Sequence, residues 1–153
     1  GEKDVMRRPP RDPRQPILGR PQWTQIVLQS AALSAGTFGA MLLAWLQQMS
    51  PEATTTVTFL TLAFGQLWHV FNQRDARAHP LRNQITTNRW TWLALALCAL
   101  LIIVPGYLGP VGEVMGLLPP DPAMWATVFA ASLAPTLLIQ AVMLVLARRP
   151  AGR

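Results

Sequence analysis

Four long stretches of this chain carry no charged residue, and their length constrains the fold more than any other feature. They cover residues 26–46, 54–71, 90–108 and 124–147. Each is close to or above the roughly 20 apolar residues with which an α-helix crosses a ~30 Å hydrocarbon core. Soluble helices need a polar face, and none of the four stretches has a broad one. The sequence therefore predicts an all-α, polytopic membrane protein with four transmembrane helices in a bundle.

Positively charged residues gather in three of the five segments outside these stretches. Six Lys and Arg residues precede the first stretch, four lie between the second and third, and three follow the fourth, whereas the other two connections contain none. Lys and Arg in short loops accumulate on the cytoplasmic side of membrane proteins. The pattern predicts one domain over residues 1–153 with both termini cytoplasmic: a Pro/Arg loop at 1–23, the four spans, and a tail at 148–153.

Composition excludes several classes of function. The formal net charge is +6, but the basic residues lie in loops and not among aromatic side chains, so we expect a bilayer and not nucleic acid as the partner. The single cysteine, Cys98, has no partner for a disulfide or a Cys-based metal site, and we expect it to be buried. The sequence contains no phosphate loop, metal-spaced histidines or nucleophile beside a base. We therefore assign no catalytic residue and predict that the chain alone is not an enzyme.

The first stretch contains small residues at helical spacing. Ala32, Gly36 and Ala40 are four residues apart, and Gly39 lies beside them. Small residues repeated in this way let two helix backbones approach closely in a membrane. These four residues are predicted to form a helix-packing face. The face could serve generic packing among the four spans, or it could dock helices that are not part of this chain.

The second stretch has a polar stripe. At about 100° per residue, one arc of the helix contains Thr58, Thr61, Gly65, Gln66, His69, Asn72 and Gln73. We expect the Gln66 and His69 side chains to point into a bundle interior, because an unpaired amide or imidazole in hydrocarbon is costly. Gln66, His69 and Asn72 are candidates for a cation pathway, and interhelical hydrogen bonding is the alternative role.

Gln66 is also a candidate metal ligand. Its carbonyl oxygen is a suitable neutral ligand for a hard cation such as calcium. One amide cannot form a site, because calcium binds about six to eight oxygens. No carboxylate lies inside any of the four stretches. Gln66 is therefore predicted, at most, to supply one ligand of a larger site.

Two segments resemble motifs of a known family. Residues 2–11 read EKDVMRRPPR and continue to Pro13 and Leu18, and residues 66–74 read QLWHVFNQR. The first is similar to the cytoplasmic loop after the sixth span of cation-transporting P-type ATPases. The second is similar to the end of the eighth span in their calcium-pump branch and its bacterial relatives. The chain thus resembles the C-terminal transmembrane region of such pumps, with its stretches as the seventh to tenth spans.

The resemblance implies roles for particular residues. Gln66 matches the eighth-span position at which some calcium pumps carry a glutamate ligand and others a glutamine. A cytoplasmic loop near the phosphorylation domain would couple that domain to the spans, and its residues here are Arg7, Arg8, Pro9, Pro10 and Arg11.

The resemblance also implies partners and a location. The whole pump would use Mg-ATP and a calcium-like cation, and this chain would hold no cofactor. Its partner would be the remaining N-terminal portion of a P-type ATPase in a bacterial plasma membrane. The family's Asp-Lys-Thr-Gly-Thr phosphorylation loop is absent from the sequence, so ATP hydrolysis belongs to that portion.

Two functions follow from these observations. The leading one is the C-terminal membrane module of a calcium-like cation pump, which supports the transport domain and contributes Gln66 as one ion ligand. The alternative is an independent four-span membrane scaffold or regulatory subunit with no ion pathway. A dedicated channel is disfavoured, because no stretch is polar along its full length.

Overall fold

The computed structural model describes residues 19–73 and 86–148, and that part of the chain is helical. Its elements are α1 (Arg20–Leu46), α2 (Pro51–His69), a 3-10 turn (Val70–Gln73), α3 (Arg89–Tyr107), α4 (Gly109–Met115) and α5 (Pro122–Arg148). The all-α prediction is confirmed for these residues. The Pro/Arg loop through residue 18 and the tail from residue 149 lie outside the described residues.

Three helices are long and apolar enough to cross a membrane. Their apolar segments are Gln22–Leu46 in α1, Arg89–Tyr107 in α3 and Pro122–Val142 in α5. Helix α2 forms over most of the second predicted stretch but is not among these three helices. Three of the four predicted spans are therefore supported by length and composition, and α2 remains a prediction as the fourth.

Side-chain and backbone caps set the observed starts of the helices. Ser50 Oγ accepts a hydrogen bond from the Ala53 N–H (3.2 Å) and begins α2. Asn88 Oδ1 accepts from the Trp90 N–H (3.0 Å) before α3, and Asp121 Oδ1 accepts from the Met124 N–H (2.8 Å) before α5. Such caps satisfy N–H groups that have no partner within the helix. They place each start one to three residues before the predicted one.

Helix α1 begins earlier than predicted, and one helix was not predicted. The loop assigned to residues 1–23 ends at Gly19, because Gln22 Oε1 accepts a hydrogen bond from the Gly19 N–H (3.0 Å) and caps the helix. Pro21 does not prevent this start, because proline is tolerated in the first turn of a helix. The extra helix is α4, which lies in the connection predicted as a loop. Helix α3 also continues through Pro105 to Tyr107.

Helices α1, α2 and α5 pack against one another and form the core. Their buried apolar side chains include Ala40, Ala44, Val57, Leu60, Phe64, Met124 and Val128. Phe64 lies at the centre of an aromatic cluster, with its ring centroid 5.6 to 6.0 Å from those of Trp68, Trp125 and Phe129.

Helix α3 lies beside this core and not within it. It packs on α2 and α4, and no residue of α3, all of which the structure describes, is buried. The ring of Trp92 contacts that of Phe71, with centroids 5.4 Å apart. Cys98 is exposed, so the prediction that it is buried was wrong. An apolar helix at the edge of a membrane bundle presents its side chains to lipid, and a thiol needs no partner there.

Candidate cation-pathway face

The polar stripe of α2 lies across the boundary between the bundle-facing side and the outward side of the helix. At one edge, Thr61 is 1% exposed and Gly65 is buried. Thr58 and His69 are half-buried in the middle, and Gln66 is exposed at the other edge. The 100° rotation per residue accounts for this gradient, because Gln66 lies roughly opposite the core residues of α2.

The side of α2 opposite its core residues is called the outward face. It consists of Thr55, Thr58, Leu62, Gln66 and His69. Gln66 is exposed and does not point between α1, α2 and α5, because α1 and α5 cover the opposite side of α2. Its place in the interior of a larger bundle stays a prediction. His69 is half-buried near the end of the helix. Asn72 lies in the 3-10 turn, and its side chain is outside the described residues.

Two hydrogen bonds to α5 fix the rotation of α2. Trp68 Nε1 donates to Ser132 Oγ (3.2 Å), and Gln140 Nε2 donates to the carbonyl oxygen of Phe71 (3.0 Å). Both lie near the C-terminal end of α2, where Gln66 is located. They hold Gln66 on the outward side, because rotating α2 would break them.

Both α5 side chains also satisfy backbone carbonyls. Gln140 donates to that of Phe71 in the 3-10 turn, and Ser132 Oγ donates to that of Phe129 within α5 (3.4 Å). The role of Trp68 as a donor to Ser132 was missed. The available signal was a tryptophan within an apolar stretch, because an indole N–H that leaves water needs an acceptor.

The threonines of α2 differ in their hydrogen bonding. Thr55, Thr56 and Thr58 each donate a hydroxyl hydrogen bond to the carbonyl oxygen four residues earlier, at 2.8 to 2.9 Å. Thr56 Oγ1 also accepts from the Leu118 N–H (2.9 Å). The buried Thr61 hydroxyl has no hydrogen-bond partner among the described residues. Three of the five threonine hydroxyls of α2 thus donate their hydrogen to backbone carbonyls of the same helix.

The described residues hold no cluster of three or more His, Cys, Asp or Glu side chains that could bind a metal ion. Gln66 supplies one amide oxygen, and a hard cation needs about six or more oxygen ligands. A cation site at Gln66 would therefore need several further oxygen ligands, and no carboxylate cluster among the described residues supplies them.

The predicted packing face of α1 divides into two parts. A Cβ atom on Gly36 would lie 2.5 Å from Pro135 Cγ and 2.9 Å from the Ala131 carbonyl oxygen, so only glycine fits there. Pro135 has no N–H to donate to that carbonyl, four residues earlier in α5. Ala40 is fully buried in the core. Gly36 and Ala40 therefore serve packing between the helices of this chain.

The rest of the packing face is open. A Cβ on Gly39 would have no described atom within 4 Å. Ala32 and Gly39 line an apolar groove of about 580 Å³ between α1 and α5, to which Ala131 and Pro135 also contribute. The coupling residues Arg7, Arg8, Pro9, Pro10 and Arg11 lie outside the described residues, and their role stays a prediction.

The three long apolar helices are those of an α-helical membrane protein. The chain matches the family model described as "Cation transporting ATPase, C-terminus" over residues 1–145. It belongs to this family and is a C-terminal region of a P-type cation ATPase, as the resemblance predicted.

A similar curated protein is the calcium-transporting ATPase of Bacillus subtilis (strain 168). It is 28% identical over 141 residues, which are 90% of this chain and 16% of that relative. The chain thus spans less than a fifth of the relative's length. No solved structure matches the chain.

Proposed function

We propose that this chain is the C-terminal membrane module of a pump for a calcium-like cation, and that Gln66 contributes one neutral ligand to the transported ion. The observation that carries the proposal is the exposure of the Gln66 amide on the outward face of a helix whose other side is buried. Family membership supports this function over that of an independent scaffold.

The exposed Gln66 amide is expected to contact another part of the pump. A polar side chain facing hydrocarbon is costly, so the outward face is expected to meet protein and not lipid. The matched relative is much longer than this chain, and its remaining portion supplies a candidate cover. That portion would also bring the other oxygen ligands that a calcium-like ion needs. Mg-ATP would act there and not in this chain.

Helix α2 would be the fourth span. Its 19 residues extend for about 28 Å, close to the ~30 Å thickness of the hydrocarbon core. It packs along α1 and α5, both of which are apolar enough to cross a membrane. Four spans put both termini on one side, and the Lys and Arg distribution favours the cytoplasm.

The core of α1, α2 and α5 supports the second part of the proposal, that the module supports the transport domain mechanically. Gly36 against Pro135, and the Trp68 and Gln140 hydrogen bonds, join these helices in one fixed arrangement. A fixed arrangement would hold the outward face steady against the moving part of the transport domain.

The test is Gln66→Leu in the complete pump. We expect the cation concentration for half-maximal ATP hydrolysis to rise on the order of tenfold, because an interaction with a charged group contributes about 1.5–3 kcal/mol. Membrane insertion should not change. The matched control is Thr55→Val, on the same outward face, whose hydroxyl bonds to the Pro51 carbonyl oxygen. Equal cation dependence in Gln66→Leu and the unsubstituted pump would rule out the ligand role.

A further inference from the structure

The short helix α4 carries an apolar face that points away from the rest of the described chain. Val111, Val114 and Met115 are exposed, and Val114 is 90% exposed. At helical spacing these three side chains fall within an arc of roughly 100°, and Glu113 lies roughly opposite. Helix α4 is therefore amphipathic, with its apolar side uncovered.

The orientation of α4 is fixed by its surroundings. Gly112 is buried, and a Cβ there would lie 3.0 Å from the Leu117 carbonyl oxygen. Gly116 ends the helix with φ of 65°, and the Leu117 N–H donates to the Gly112 carbonyl oxygen (2.8 Å). The Leu118 N–H then donates to Thr56 Oγ1 (2.9 Å), which ties the segment to α2. The apolar face is thus held outward by packing and hydrogen bonds.

The end of α3 indicates the depth of α4 in the membrane. Helix α3 is long and apolar enough to span, and it ends at Tyr107, two residues before α4 begins at Gly109. Tyr107 is exposed, and tyrosine is enriched where spans leave the hydrocarbon. Helix α4 therefore begins at this boundary. Apolar side chains on one side and a carboxylate on the other are typical of a helix that lies in the interface plane.

We propose that α4 lies in the boundary between lipid headgroups and acyl chains, with Val111, Val114 and Met115 inserted and Glu113 towards water. The partner is the lipid surface itself. Residues 109–123 contain no Lys or Arg, so the attachment is apolar and needs no anionic lipid. The inference rests on α3 crossing the membrane and is independent of the role of Gln66.

The test is spin labelling of the complete pump in phosphatidylcholine vesicles. Val114→Cys and the matched control Glu113→Cys are each made in a background in which Cys98 and every cysteine of the remaining portion are replaced by alanine, and label accessibility to oxygen and to a water-soluble nickel complex gives depth. We expect the Val114→Cys label about 5–10 Å inside the headgroup boundary and the Glu113→Cys label in water. Both depths should stay unchanged when phosphatidylglycerol is added.

A third label on the native Cys98, exposed in α3, reports whether that helix spans the bilayer. A deep Cys98 label with a water-exposed Val114→Cys label would overturn the inference while α3 remains a span. A Val114→Cys label that is immobilised and shielded from both reagents would also overturn it, because protein would then cover the face. A shallow Cys98 label would overturn the span on which the inference rests. None of these results bears on the cation dependence of Gln66→Leu.

Discussion

Helices α2 and α3 each contain 19 residues, yet their surroundings are opposite. The most apolar segment of α3 has a mean hydropathy of 1.9, and none of its residues is buried. Helix α2 is not among the three helices that are apolar enough to span, yet seven of its residues are buried. The helix with the weaker membrane signal is the one that α1 and α5 cover along one side.

The difference shows what hydropathy measures in a membrane bundle. A helix that meets lipid on most sides must be apolar, because hydrocarbon offers no hydrogen-bond partner. A helix packed against others can carry buried hydroxyls that bond to its own carbonyls and to a neighbouring segment, as Thr56 does. High hydropathy therefore permits lipid contact, and lower hydropathy does not exclude a helix from the bundle.

The largest expected difference is in the free energy of unfolding, between a substitution on the buried side of α2 and one on the surface of α3. Phe64→Ala removes the centre of the aromatic cluster and should lower the free energy of unfolding by about 3–5 kcal/mol. The matched substitution Leu97→Ala in α3 alters an exposed side chain and should change it by less than about 0.5 kcal/mol. Unfolding by SDS in mixed micelles measures both values. Similar losses for the two variants would contradict the comparison.

A smaller effect should separate two buried threonines of α2. Thr56→Val leaves the Leu118 N–H without its acceptor and should cost about 1–3 kcal/mol of unfolding free energy. Thr61→Val removes a hydroxyl without a hydrogen-bond partner among the described residues. We expect it to be neutral or stabilising by up to about 1 kcal/mol. The same micelle assay measures both, and a larger loss for Thr61→Val would show that its hydroxyl is bonded.

The smallest effect concerns the starts of the two helices. The backbone N–H of Glu52 and then the Ser50 hydroxyl lower the pKa of the Glu52 carboxyl from its ordinary value of 4.5. The ionised Glu52 carboxylate stabilises the start of α2 fully at pH values above its ordinary pKa. This stabilisation is lost as the pH falls through the lower pKa of the folded state. Helix α3 has no acidic residue in its first turn and begins with the neutral cap Asn88.

We therefore expect the protection of the Ala53 amide against hydrogen exchange, corrected for intrinsic rates, to fall as the pH is lowered through the acid range. The protection of the Thr91 amide should not change. Glu52→Gln should abolish the pH dependence at Ala53. An unchanged pH profile in Glu52→Gln would assign the effect to another group.

The sequence predicted the helices better than their surroundings. The predicted stretch at residues 90–108 differs by one residue at each end from α3 (Arg89–Tyr107), because loss of apolar character and the Asn88 cap mark its limits. The same reasoning placed Cys98 inside the protein, although it is exposed. An apolar helix looks alike in sequence whether lipid or protein covers it.

Helix α4 was missed for a related reason. Its seven residues are too few for a clear periodic signal. The spacing of Val111, Val114 and Met115, followed by Gly116, was the available evidence of an amphipathic turn with a glycine end. Only the buried contact of Gly112 and the Thr56 hydrogen bond show that this turn is fixed in place.

By itself, the sequence determined that this chain is helical and belongs to a membrane, because long uncharged runs satisfy their backbone in lipid only as helices. It also determined the resemblance that the family match confirmed. Only the tertiary structure decided which side of each helix is covered. Periodicity puts Gln66 and Thr61 on one stripe, and Gly36 and Gly39 on one face. The neighbouring helices bury Thr61 and pack directly against Gly36, whereas Gln66 is exposed and a Cβ on Gly39 would meet no described atom within 4 Å, because these contacts depend on which other helix approaches.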